Sequence, residues 1–147
     1  MTTIIGLSGS LRAASFNTAL LRAAEASFPG IIEQASIRGI PLYDADLESR
    51  EGVPAEVEAL KERIARAGGL LIASPEYNNS IPGVLKNTVD WLSRPPDDIP
   101  RVFYGKPVAV MGASPGGFGT ILAQNAWLPI LRTLRTRPWL EGRLMVS

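Results

Sequence analysis

The segment 6-GLSGSLRAASFN-17 places Ser8, Ser10 and Ser15, the guanidinium of Arg12 and the amide of Asn17 within a dozen positions. It matches neither G-x-G-x-x-G nor G-x-x-x-x-G-K-[ST], the patterns that cradle a dinucleotide pyrophosphate or a nucleoside triphosphate. It does follow a short apolar run and open a helical pattern. The N–H groups of a first helical turn point outward, and the helix dipole favours an anion there. Serine hydroxyls add donors, Arg12 adds a planar fork that suits a phosphate, and Asn17 can donate from its amide. Ser15 alone would be an ordinary helix cap, but the other hydroxyls and Arg12 exceed what a cap requires. No Lys stands at the P-loop position, so a metal-bound triphosphate is not expected. A terminal monophosphate remains.

Two further loops carry polar or glycine-rich chemistry. The stretch 75-PEYNNS-80 offers Tyr77 as a planar contact, with Asn78, Asn79 and Ser80 as polar groups. Alone it reads as a polar connection with Tyr77 partly buried. The stretch 114-SPGGFG-119 contains glycines that let backbone approach a flat ligand closely. Alone it reads as a flexible loop. Together, the three loops suit a phosphorylated planar ligand. The sequence contains no His and no Cys. That removes Cys nucleophiles, Ser-His-Asp triads, His acid/base chemistry and the usual zinc ligands. Chemistry here is expected to come from a bound cofactor. Asp44 and Asp46 are too few to make a metal site, and none is expected.

The elements that position these loops follow from periodicity. Apolar runs at Thr3–Leu7, Ile31–Ile37, Gly69–Ser74 and Pro107–Ser114 read as strands, and 143-RLMVS-147 as the start of a fifth. Helical patterns lie between them. The first places Phe16, Leu20, Leu21, Ala24 and Phe28 on one face and stops at Pro29-Gly30. The second starts near Pro54, turns Val57, Leu60, Ile64 and Ala67 inward, and spaces Glu62 and Arg66 as an outer-face pair. The third runs through Pro82–Ser93 with Ser80 as its cap. A long apolar helix reaches about Thr136, with a kink expected at Pro129. The segment 38–54 reads as a long loop. Trp91 and Leu92 are assigned to core or a subunit contact, while Lys86, Asn87 and Asp90 face solvent, or Asn87 and Asp90 buttress 75–80. Alternating strands and helices imply a parallel sheet with right-handed crossovers. In the order 2-1-3-4-5, the three loops share the carboxyl edge beside the switch point, where ligands bind in such folds.

Length and charge bound the alternatives. The 147 residues fit one domain over 1–147, able to bury a core. A net charge of +1 gives no electrostatic case for nucleic acid or an anionic membrane, and neither is expected as a partner. No apolar run approaches a membrane span, no signal peptide is read at the N-terminus, and a cytoplasmic location is expected.

The combination Gly9-Ser10-Leu11-Arg12 with Ser15 and Asn17, then Pro75-Glu76-Tyr77-Asn78-x-Ser80-x-Pro82-Gly83-x-Leu85-Lys86-Asn87-x-x-Asp90-Trp91, resembles the NADPH-dependent FMN reductase family. That family includes quinone, azo-dye and chromate reductases. The segment 40-IPLYDAD-46 and the Ser114-Pro-Gly-Gly turn are similar to it as well. The resemblance implies a flavodoxin-like, doubly wound five-stranded parallel sheet in three αβα layers, with FMN as cofactor and NADPH or NADH as co-substrate. It implies that Ser10, Arg12, Ser15, Phe16 and Asn17 hold the FMN phosphate. Pro75, Glu76, Tyr77 and Asn78 would line the isoalloxazine, mostly through backbone N–H, and Ser114, Gly116 and Gly117 its other side. It implies hydride transfer from NAD(P)H through the flavin to a quinone, free flavin, azo compound or metal oxyanion, and a homodimer or homotetramer. Relatives continue past the fifth strand into a final helix, and this sequence stops at Ser147. An uncovered apolar face is therefore expected there, and an inactive flavin-binding fragment is one alternative. A flavodoxin-type electron carrier is another, although such carriers resemble strongly acidic chains and this one is not. A receiver-type domain would need carboxylates where Ser8-Gly9-Ser10 and Ser74-Pro75 stand.

Overall fold

A computed structural model describes residues 2–147. Strand β1 (Ile4–Ser8) leads into helix α1 (Phe16–Ser27), and β2 (Ile32–Ala35) follows. Helices α2 (Ala45–Glu51) and α3 (Ala55–Arg66) precede β3 (Gly69–Ala73). After α4 (Gly83–Leu92) come a 3₁₀ turn at Pro96–Asp98 and α5 (Ile99–Phe103). Strand β4 (Pro107–Ala113), helix α6 (Ile121–Thr133), and strands β5 (Arg137–Pro138) and β6 (Leu144–Val146) complete the described chain. All pairings are parallel, in the order β2-β1-β3-β4-β5, with β6 also on β4. The expected 2-1-3-4-5 order is present.

The central strands are buried on both faces, which explains their near-continuous apolar sequence. Ile5 and Leu7, Leu70 and Ile72, and Val108 and Val110 pack toward α3, α4 and α6 in the larger core cluster. Ala73 and Met111 face the other way, with Leu71 beside them, and join Leu21 of α1. Three long helices thus cover one face, and α1 covers the other. On that second face lies an apolar groove lined by Phe16, Leu20, Ala23, Ala113, Pro115 and Val146.

Several expectations need correction. The fifth strand position is divided: β5 pairs with Pro107 and Val108, and β6 pairs with Met111 to Ala113. The segment 38–54 contains α2, whose N-cap Asp44 accepts from the Asp46 N–H at 2.8 Å. Helix α2 buries no residue, so no apolar stripe announced it. On α1 only Leu21 of the expected face is buried, while Phe16 and Phe28 are exposed. Helix α4 is capped by Pro82, not Ser80. Glu62 pairs with Arg101 instead of Arg66, whose Nε donates to the Glu62 carbonyl. Helix α6 runs through Pro129 and ends at Thr133.

One buried cation was not anticipated. The Lys61 side chain is fully buried on the inward face of α3. Its Nζ reaches Glu58, Asp98 and the Arg94 carbonyl at 2.6, 2.7 and 2.6 Å. This joins α3 to the turn after α4. Hydrogen bonds from Arg101 and then Lys61 hold the Asp98 carboxyl well below the usual carboxylate range.

Candidate functional site

The loops after β1, β3 and β4 leave one edge of the sheet side by side. The ladder extends one residue into each: Gly9 N–H donates to Ala73 O, Ser74 N–H to Met111 O, and Ser114 N–H to Val146 O, at 2.8, 2.8 and 2.9 Å. A Cβ on Gly9 would lie 2.8 Å from Leu85 Cδ2 and 2.9 Å from Pro75 Cδ. A side chain there would force Leu85 or the Pro75 ring to shift, so glycine lets the first loop press against the second. On Gly112 a Cβ would lie 2.5 Å from the Ser74 carbonyl oxygen. Glycine there lets β4 approach the start of the second loop.

In the first loop, Ser15 is buried and caps α1, its Oγ accepting from Thr18 N–H at 3.1 Å. The N–H groups of Phe16 and Asn17 begin the helix and have no intrahelical acceptor. Ser10 Oγ accepts from Arg12 N–H at 3.3 Å, and Ser8 Oγ meets Thr18 Oγ1 at 2.8 Å. The Arg12 guanidinium carbon lies 5.6 Å from the Phe16 ring centroid, a cation–π contact. No carboxylate among the described residues pairs with Arg12. Arg38 donates to the Leu11 carbonyl at 2.6 Å and ties the loop to the chain after β2.

Asn17 has a different role from the one expected of its amide. It is 3% exposed, and its Nδ2 donates to Ala113 O at 2.8 Å while its Oδ1 accepts from Ala113 N–H at 2.9 Å. The side chain clamps α1 to the end of β4, leaving the backbone N–H for the loop.

In the second loop, Tyr77 and Ser80 exchange N–H···O bonds of 3.1 Å each way. Asn78 and Asn79 have φ of 51° and 61°, the left-handed pair of a two-residue hairpin turn. Tyr77 is half exposed. Its N–H is committed to Ser80, the Ser80 N–H to Tyr77, and Pro75 has none, so the backbone donors left in 75–80 are those of Glu76, Asn78 and Asn79. The Glu76 carboxylate turns away from its own loop. One oxygen accepts from Leu122 N–H and Ala123 N–H at 2.9 and 3.0 Å, capping α6. Beneath it, Trp127 Nε1 donates to Ser74 Oγ at 3.0 Å, and Ser74 Oγ donates to Pro75 O at 3.0 Å. Sequence reading missed Ser74 and Trp127. A lone Trp in an apolar helix carries no mark of its distant hydroxyl partner.

In the third loop, Ser114 Oγ accepts from Gly116 N–H at 3.2 Å, and Gly116 O accepts from Gly119 N–H at 3.1 Å. Gly117 sits between them, and Phe118 is largely exposed.

Asn87 buttresses the segment before α2 and not the 75–80 loop. It accepts from Tyr43 N–H at 2.8 Å and donates to Pro41 O at 2.8 Å, where Trp91 Nε1 also donates at 2.9 Å. Trp91 and Leu92 are core, and Asp90 pairs with Lys86. Burial, and then its hydrogen bond to Glu48, raise the Tyr43 phenol pKa. Among the described residues, no group of three or more His, Cys, Asp or Glu is placed to hold a metal ion, and no helix is long and apolar enough to cross a membrane.

A parallel doubly wound sheet with an anion-directed helix start and two facing loops at its switch point defines an α/β ligand-binding domain of the flavodoxin-like class. Residues 2–147 match the family model described as NADPH-dependent FMN reductase, and the chain belongs to that family. It is 47% identical over 146 residues to an NAD(P)H-dependent FMN reductase of Pseudomonas aeruginosa, covering 98% of this chain and 77% of that one. It is 48% identical over 119 residues to a quinone reductase of Escherichia coli, covering 79% of this chain and 62% of the relative. Among solved structures, a flavoenzyme NAD(P)H:(acceptor) oxidoreductase from Paracoccus denitrificans superposes with a TM-score of 0.88 at 34% identity, covering 98% of this chain and 78% of that one. The chain thus spans less than two thirds of the E. coli relative and somewhat over three quarters of the other two.

Proposed function

We propose that the protein is an FMN-dependent oxidoreductase that uses NADPH or NADH to reduce a small-molecule acceptor, with a quinone as the best-supported class. The observation that carries this reading is the free Arg12 guanidinium over the start of α1, beside two glycine-permitted close contacts at a sheet switch point. Family membership and the relatives' activities support it.

The residues present fit FMN. Its phosphate would take the N–H groups of Phe16 and Asn17, the Ser10 and Ser15 hydroxyls, and Arg12, with no lysine or metal required. Its ring system would sit between 75–78 and 114–117, against Tyr77 and the backbone of Ser114, Gly116 and Gly117. FMN, when bound, supplies the acceptance and onward transfer of a hydride. The chain's work is to bind and orient. The N–H groups of Glu76 and Asn78 offer fixed dipoles where negative charge develops, without reorganisation during reaction. Tyr77, half exposed at the hairpin tip, lies where it can flank an incoming nicotinamide or quinone. No side chain is required as a general base.

The same reading places the protein in the cytoplasm, where NAD(P)H is supplied, as a homodimer or homotetramer of 1–147 single-domain subunits. Exposed Leu42, Phe118, Leu122 and Leu128 provide apolar area that a second copy would cover. Steady-state NADPH oxidation with FMN and benzoquinone tests the proposal. Parallel double-reciprocal lines are expected, because the co-substrate leaves before the acceptor binds. No acceptor-dependent NADPH or NADH oxidation would refute it.

A further inference from the structure

The Glu76 carboxylate is a cap supplied from another loop. Helix α6 begins after Thr120, whose hydroxyl makes no bond to the first turn's N–H groups and instead accepts from Gln124 Nε2 at 3.2 Å. The turn's Leu122 and Ala123 N–H groups are satisfied by Glu76, 46 and 47 residues earlier. Just over one turn on, Trp127 donates to Ser74. The start of the second loop is therefore fastened to α6 at two points. The third loop runs directly into α6 and contains Gly116, Gly117 and Gly119, so it has little stiffness of its own. Its start is held beside Ser74 by the β4 ladder, and its far end is placed by where α6 begins.

We propose that Glu76 is a positioning residue for the planar ring system. Its carboxylate, by holding Leu122 and Ala123, sets the gap between the 75–78 and 114–117 backbones, while the side chain itself touches no ligand. This rests on the flavin reading above, and deepens it by separating what seats the ring from what seats the phosphate.

FMN and riboflavin share the ring but not the phosphate, so titrating the full chain with each, by quenching of flavin fluorescence, separates the two. Glu76→Ala should weaken both by the same factor, about tenfold or more, as expected for losing charge-assisted bonds. It should also change the visible circular dichroism of bound flavin at saturation. Glu76→Gln keeps an acceptor oxygen and should stay within about threefold of wild type. Arg12→Ala should weaken FMN and leave riboflavin unchanged. A merely structural role would lower the melting temperature while leaving flavin affinity and the bound spectrum unmoved, and that result overturns the proposal with the flavin reading intact. A loss confined to FMN overturns it too, by placing Glu76 at the phosphate. If the wild-type chain binds neither flavin, the flavin reading fails and this proposal with it. Should Glu76→Ala not fold, Glu76→Asp replaces it. Asp is one methylene too short for the same bonds, an equal loss for both flavins is again expected, and unchanged affinity overturns the proposal.

Discussion

Arg12 is the side chain on which the anion site most depends, because its guanidinium lies over Phe16 at the start of α1 and pairs with no carboxylate among the described residues. Arg12→Ala should weaken FMN binding by roughly 1.5–3 kcal/mol, the range for a hydrogen bond to a charged group. Isothermal titration would read this directly, and unchanged affinity would remove the phosphate from this loop. Asn17 makes the contrasting case. Its amide closes two buried bonds to Ala113, so Asn17→Ala should cost about 1–3 kcal/mol of stability in a denaturant titration. Arg12 and Ser15 were legible because their partners, Phe16 and Thr18, are local. Asn17 and Glu76 were legible as polar residues near a site but not in their roles, because their partners lie 96 and 46 residues away. Nothing in a local pattern records such a pairing.

At the scale of elements, the fold was readable wherever an apolar period ran long enough. β3 and β4 are continuous apolar runs, and α3 turns Val57, Leu60 and Ile64 to the core as its period requires. Helix α2 was not readable, since only Leu47 packs, partly buried, on the core, and the segment is otherwise held by its Asp44 cap and by the Asn87 and Trp91 bonds to Tyr43 and Pro41. Strand β5 was not readable either: two residues including a proline do not read as a strand, and Pro138 is tolerated there only because the position is at the sheet edge. The close contact at Gly112 gives a test at this scale. Gly112→Ala must displace Thr120, whose Oγ1 would lie 1.9 Å from the added Cβ, and push β4 away from the Ser74 carbonyl, which overpacking data place at about 1–3 kcal/mol of stability. Thermal unfolding should show the loss, and flavin affinity should fall with it because the second and third loops separate. An unaffected melting temperature would mean that β4 and Ser74 are not packed this closely.

For the molecule as a whole, acid sensitivity should centre on the turn after α4. The Asp98 carboxyl is held below its usual range by Arg101 and Lys61. An unfolded chain binds that proton more readily, so the stabilisation is present above the ordinary carboxylate pKa and is lost as pH falls below it. Asp98→Asn should flatten that acid limb of the melting temperature. It should also lower stability at neutral pH, at or below the roughly 3 kcal/mol lower bound for breaking a buried pair, since Lys61 keeps Glu58 and the Arg94 carbonyl. The most direct test of the central claim is anaerobic. The FMN-loaded chain is mixed with NADPH and then with NADH, and the flavin absorbance is followed with no other protein present. The account predicts bleaching by at least one of the two and recovery of the absorbance when a quinone is added. A chain that holds FMN yet stays oxidised until a separate reductase is supplied would contradict it.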